Sequence, residues 1–316
     1  MRFRTLLLSP LRSTIASGAL AIAALLPTVA LAQKAFPTPD AAANAFIDAV
    51  ATHDRDALRA LLGENYKRFV PYDIDEDDIT NFLYASSKGR KIVADGPEHA
   101  HLAVGPDGWT LPIPLVKKAD GWNFDIQAGK EEMRIRRIGR NELDAMQALL
   151  AYFDAQKEYA QADRNGDGFV EYAQRFVSTP GKRDGLSWPN DPASPLGPLY
   201  GNDTKDGVFH GYRFRILKAQ GPDARGGARD FVVNGRMTLG FAGVAWPATF
   251  NETGVMTFII SHDGNIYQKN LGKDTDAAAR AMTRFNPDKS WTRVPDSVLI
   301  AKPQFIHRGD ALCRAR

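Results

Sequence analysis

Asp163, Asn165, Asp167, Phe169 and Glu171 carry the metal-like spacing of this 316-residue chain. They lie on the acidic loop Asp163-Arg164-Asn165-Gly166-Asp167-Gly168 and just beyond it. Carboxylate and amide oxygens at alternating positions can converge on one hard cation, and Gly168 permits the sharp turn this requires. Phe169 would then offer its backbone carbonyl, and Glu171 stands at the ninth position. The twelfth position, where a bidentate glutamate completes a calcium loop, is Gln174, so a charge and an oxygen are missing. The expectation is a weak calcium site, of the kind that extracellular modules hold at about 10⁻⁴–10⁻³ M. The competing reading is an Asx-rich loop that ends a helix.

Other reactive residues point to little. Of the six histidines, His53, His99, His101, His210, His262 and His307, only His99 and His101 are close in sequence, and no Cys or Glu-x-x-His completes a zinc set around them. Surface imidazoles are the plainer reading. No Gly-x-Ser-x-Gly elbow, His-Glu-x-x-His helix, phosphate-binding glycine loop or catalytic Cys context is present. Glu131, Glu132 and Glu142 sit among arginines on a predicted helix and read as salt-linked surface. The cluster Arg134, Arg136, Arg137 and Arg140 reads as a solvated face or a domain contact before an anion site. Trp122, Trp188, Trp246, Tyr212 and Phe258 read as core anchors before a sugar-stacking platform. Cys313, the single cysteine, excludes an intramolecular disulfide.

The elements that must position these residues fall into two sets joined by one helix. Met133, Ile135, Ile138, Met146, Leu149, Leu150, Phe153 and Tyr159 recur at helical spacing over Lys130 to Ala162. About 30 residues at 1.5 Å rise would reach roughly 45 Å, and Gly139 offers a place for a bend or a break. Before it, Thr38-Pro39-Asp40 is a helix start, Gly63 a stop, and Ile79 to Ala85 a short helix. Four strands follow at Lys91–Ala94, His101–Val104, Trp109–Lys117 and Gly121–Ile126, with turns at Gly105-Pro106-Asp107-Gly108 and Ala119-Asp120-Gly121. Beyond the acidic loop, Gly181–Asn202 reads as a long ordered loop pinned by Leu186 and Trp188. Strands are expected at Gly211–Leu217, Arg229–Asn234, Gly240–Trp246, Val255–Ser261 and Asn265–Lys269, the last two flanking a His262-Asp263-Gly264 hairpin. The fold class is α+β.

The start of the chain reads as an export signal. Arg2, Arg4 and Arg12 precede an apolar run from Ile15 to Leu26, and Ala30-Leu31-Ala32 offers a cleavage site. The run is shorter than the about 20 residues of a spanning helix. The three signal arginines account for the excess of 40 basic over 37 acidic residues, so the mature chain is neutral. A nucleic-acid surface, with its clustered basic excess, is not expected. The expected organisation is a signal peptide over 1–32, an N-terminal α+β domain over 33–129, a long helix with an antiparallel-sheet domain over 130–292, and a tail over 293–316.

Several longer motifs are distinctive. Pro112-Ile113-Pro114-Leu115-Val116-Lys117, Gly121-Trp122-Asn123-Phe124-Asp125, Ser194-Pro195-Leu196-Gly197-Pro198, Ala245-Trp246-Pro247-Ala248 and Gly254-Val255-Met256-Thr257-Phe258-Ile259 together resemble the bacterial secreted-protein family catalogued as domain of unknown function 2950. The resemblance covers nearly all of residues 34–292 and implies no assigned activity and no catalytic residues. The element order of the C-terminal half is similar to the globular domains of type IV pilins and pseudopilins. The N-terminal half resembles the cone-shaped domains of the nuclear transport factor 2-like type.

The resulting expectation is an exported, periplasmic or secreted protein without a transmembrane segment in its mature form. It would be a non-catalytic binding or assembly module, with an envelope protein or polysaccharide as partner and calcium as the possible ion. Two rivals are an envelope-polymer hydrolase using carboxylates in an inter-domain cleft, and a small-ligand carrier. The carrier predicts an apolar cavity beneath the strands of residues 91–126.

Overall fold

Thr38 starts the first helix as its residue type suggests: its hydroxyl accepts from the Ala41 N–H at 3.1 Å, and Pro39 occupies the first turn. The computed structural model describes residues 33–68, 76–188, 191–196 and 207–300. The stretch expected to be an export signal, most of the tail with Cys313 and His307, and part of the Gly181–Asn202 loop lie outside the described residues. Helix α1 (Pro39–Ala51) is followed by α2 (Arg55–Leu62), capped by Asp54 and ended at Gly63, whose φ of 93° suits glycine. Helix α3 spans Glu76–Lys88.

These helices cover a five-stranded antiparallel sheet of β1 (Arg90–Ala94), β2 (His99–Val104), β3 (Trp109–Thr110), β4 (Leu115–Lys118) and β5 (Gly121–Phe124). The order is β1-β2-β4-β5, with β3 pairing β2. The single strand expected over Trp109–Lys117 is thus two. Pro112 and Pro114 lack the N–H that a ladder needs, and the chain turns there.

Helix α4 runs unbroken from Ile126 to Tyr159, 34 residues, or about 51 Å at 1.5 Å per residue. It begins four residues before the expected boundary because the Asp125 carboxylate caps it, accepting from Gln127 and Ala128 N–H at 3.0 Å each. Gly139 does not break it. The glycine that does matter is Gly129, where a Cβ would stand 2.8 Å from Ile113 Cγ1. Its absence lets the first turn of α4 press onto the β3–β4 link.

After the acidic loop the chain builds β6 (Val208–Phe209), β7 (Tyr212–Leu217), β8 (Ala219–Gln220), β9 (Arg229–Asp230), β10 (Val232–Val233), β11 (Arg236–Met237), β12 (Ala242–Pro247), β13 (Met256–Ser261) and β14 (Ile266–Asn270). Helix α5 (Thr275–Ala281), β15 (Thr292–Arg293) and α6 (Asp296–Ile300) follow. The main sheet is antiparallel in the order β15-β14-β13-β12-β7-β6. The segment expected as one strand over Arg229–Asn234 forms β9 and β10 in two small separate pairings, with β8 and β11. The tail expected from Arg293 is folded at its start: β15 pairs with β14, Val294 is buried, and α6 packs against α4.

Every residue of β12 is buried because both sheet faces are covered. Gly243 lies under the Tyr152 ring of α4, and Trp246, on the other face of the pleat, donates to Asp276 of α5 at 2.9 Å. Two buried clusters result. One holds Phe36 to Phe124, and the other holds Ala145 to Val294. Leu186, Trp188, Tyr212, Trp246 and Phe258 anchor the second as expected, while half-buried Trp122 packs against the first. No described helix is long and apolar enough to cross a membrane.

Candidate functional site

The middle of α4 belongs to neither buried cluster, and its side chains divide between the two lobes. Arg134 bonds Glu131 at 2.9 Å and reaches the Asn251 carbonyl at 2.6 Å. Arg136 bonds Glu132 at 2.7 Å and the Thr110 carbonyl at 2.6 Å. Asn141 donates to the Thr253 carbonyl at 2.8 Å. Glu142 departs from the salt-linked surface expected of it. Its Oε1 accepts from the Val255 and Met256 N–H groups, both at 2.9 Å, and so holds the start of β13. The arginine cluster is in part a contact between lobes.

Above this stretch of helix, an apolar cleft of about 420 Å³ opens under the sheet of residues 91–126. Its wall is aromatic: Phe46 of α1 meets Phe82 of α3 at 5.9 Å between ring centroids, and Phe82 meets Trp109 at 6.2 Å. Val50, Leu58, Leu62 and Ile113 add aliphatic surface. Helix α4 contributes Met133, Arg136, Arg137 and Arg140, which recur on one face at three- and four-residue spacing. Asp78 and His53 also line it, and His53 has a left-handed φ of 51°. The Nε of half-buried Arg137 is shielded from solvent without any hydrogen-bond partner. Such a cleft can take an apolar body out of water, with polar groups at its edge to fix orientation.

A second cleft, about 410 Å³, lies beside the acidic loop and is lined by Asp167, Glu171, Gln174, Arg175, Lys218 and Arg236 among others. Of the five predicted metal-site residues, Asn165, Asp167 and Glu171 line it while Asp163 and Phe169 do not, and the side-chain oxygens of the four polar ones face proton donors. Asp163 accepts from Gly166 at 2.7 Å and from Gly168 at 2.8 Å, and the Gly168 N–H above all holds its carboxyl below the usual range. Asn165 donates to Glu171 at 2.6 Å and accepts from Asp167 N–H at 3.1 Å. Asp167 takes Arg236 Nε at 2.9 Å, and the same guanidinium lies 4.0 Å from the Phe169 ring centre. Glu171 accepts from Met237 N–H at 3.2 Å, and Gln174 is held between Lys218 and the Gly235 carbonyl. The geometry is that of an Asx-rich loop stitched to the β10–β11 hairpin. Among the described residues no group of three or more His, Cys, Asp or Glu is placed to share a metal ion.

Elsewhere the reactive side chains stay apart. His99 is exposed, His101 is half-buried, and they stand alone on β2. His210 lies 3.3 Å from Asp144. His262, packed edge-on to Phe231 and 2.9 Å from Arg229, has its pKa lowered first by burial and then by that positive charge. A carboxyl kept protonated to act as an acid would need a raised pKa. The described carboxylates with a resolved shift, Glu131, Asp163, Asp184, Asp191, Asp276 and Asp288, are all lowered.

The family described as "Protein of unknown function (DUF2950)" matches residues 33–294. The chain is a DUF2950 protein. The match spans both lobes and α4, so the cleft of this DUF2950 protein lies wholly within the family's extent. No curated protein and no solved structure matches the chain. The likeness of its halves to pilin-type and transport-factor-type domains therefore rests on element order.

Proposed function

We propose that this DUF2950 protein is an exported, non-catalytic binding module that takes a small apolar ligand into the N-terminal cleft. The observation that carries the reading is the cleft itself. About 420 Å³ of mostly apolar space, walled by Phe46, Phe82, Trp109 and Leu58, is within the range of small-molecule sites. Export is supported by the basic start, the apolar run and the Ala30-Leu31-Ala32 sequence. A binding role is favoured over hydrolysis by the lowered carboxylates and by the absence of a catalytic motif in the sequence.

The test is the fluorescence of the uncharged probe N-phenylnaphthylamine, which brightens when it leaves water. Saturable brightening is expected with the mature protein. It is expected to vanish in Leu58→Trp, which fills the cleft, at an unchanged circular dichroism spectrum. No brightening in the unmodified protein, or equal brightening in a folded Leu58→Trp, removes the proposal.

A further inference from the structure

We infer that the ligand of this cleft is an amphipathic anion, an acyl chain bearing a carboxylate or phosphate head, and that Arg137 reads the head. This rests on the apolar cleft being the binding site. The charges around the cleft are unequal in what they have left to offer. Arg136 is spent on Glu132 and Thr110, and its guanidinium lies 5.8 Å from the Trp109 ring centre. Arg140 and Asp78 each hold a partner of their own. Arg137 makes no hydrogen bond or ion pair among the described residues, and its Nε is out of reach of water.

A guanidinium presents five N–H donors in a planar fork that matches a carboxylate or phosphate with two parallel bonds. Native structures leave few buried donors without acceptors, and such an exception calls for a reason. The Nη groups at the outer end of this guanidinium are the donors an incoming oxyanion would take, and the oxyanion would bring the missing counter-charge. The position fits as well. Met133 and Arg137 are four residues apart on one helix face and both line the cleft, so a chain resting on Met133 lies about one turn from the guanidinium. Both heads share this chemistry, and the test separates them.

The experiment displaces N-phenylnaphthylamine from the mature protein with dodecanoate, dodecyl phosphate, dodecanol and dodecyltrimethylammonium, each below its micelle concentration. At least tenfold tighter binding of one or both anions than of dodecanol is expected, weakening as salt rises. Arg137→Met, which keeps an apolar stem, is expected to lose that preference and retain dodecanol. Arg137→Lys, a point charge without the fork, is expected to keep part of it. Equal affinity for dodecanoate, dodecyl phosphate and dodecanol, a preference for the cation, or an anion preference that survives in Arg137→Met overturns the head-group assignment while leaving the cleft in place. Failure of all four compounds to displace the probe, or of the probe to bind, overturns the cleft reading and this one with it. A melting curve for each variant separates lost affinity from lost fold.

Discussion

The two clefts of this molecule enclose nearly the same space, about 420 and 410 Å³, and differ in almost every other respect. The one beside the acidic loop is lined by charge, and that charge is consumed within the protein: Asp167 by Arg236, Glu171 by Asn165 and Met237, Asp184 by Thr179. The one under the N-terminal sheet is lined by aromatic and aliphatic carbon, and leaves Arg137 Nε without an acceptor. Volume does not distinguish them. What distinguishes a place that holds itself together from one suited to hold something else is binding capacity left unused.

Three measurements would break or sharpen that contrast. The largest effect is expected at Gln156, which is fully buried and binds both the N–H and the carbonyl of Ala173 at 2.8 Å, fixing the segment after the acidic loop to α4. Gln156→Leu orphans both backbone groups, each at about 1–3 kcal/mol, so a loss of roughly 2–6 kcal/mol is expected in denaturant titration. Probe binding to the N-terminal cleft should persist at low denaturant. If the cleft fails together with the C-terminal lobe, the two are not independent.

A smaller effect is expected with pH. Burial and Arg229 lower the pKa of His262, so the unfolded chain takes up a proton more readily than the folded one. The His262 contribution is therefore complete above the ordinary value of 6.5 and is lost as pH falls below it through the lowered folded value. The melting temperature should fall between pH 6.5 and 5, and His262→Gln should flatten that slope. An unchanged slope would place the titrating group elsewhere.

The smallest effect concerns calcium. Because Arg236 occupies Asp167, Arg236→Gln should release the carboxylate. Millimolar calcium should then raise the melting temperature of the variant by more than it raises that of the unmodified protein. No shift in either would leave the loop purely structural and the contrast between the clefts complete.

Local chemistry was legible in the sequence where a few neighbours decide it. Thr38-Pro39 starts α1, Gly63 ends α2, and Asp263-Gly264 turns between β13 and β14, because caps and tight turns depend on residues within one turn of each other. The length of α4 was legible from its period, but its start needed the Asp125 cap. The cleft was expected only in outline. Phe46, Phe82, Trp109 and Met133 come from four separate elements, and no window of sequence contains them all. A signal for Arg137 was present in the spacing of Met133, Arg137 and Arg140 along one helix face. Its difference from Arg136 was not legible, since it depends on Thr110, far away in the chain. Glu142 likewise read as surface because its partners, Val255 and Met256, are a hundred residues distant.

The unbroken course of α4 links the two halves mechanically. Arg137 faces the cleft, while Asn141 and Glu142, about one turn further along, grip the strand start and turn of the opposite lobe. A guest at Arg137 would therefore sit on the same continuous helix as the side chains that hold Thr253 and Met256, about one turn away from them.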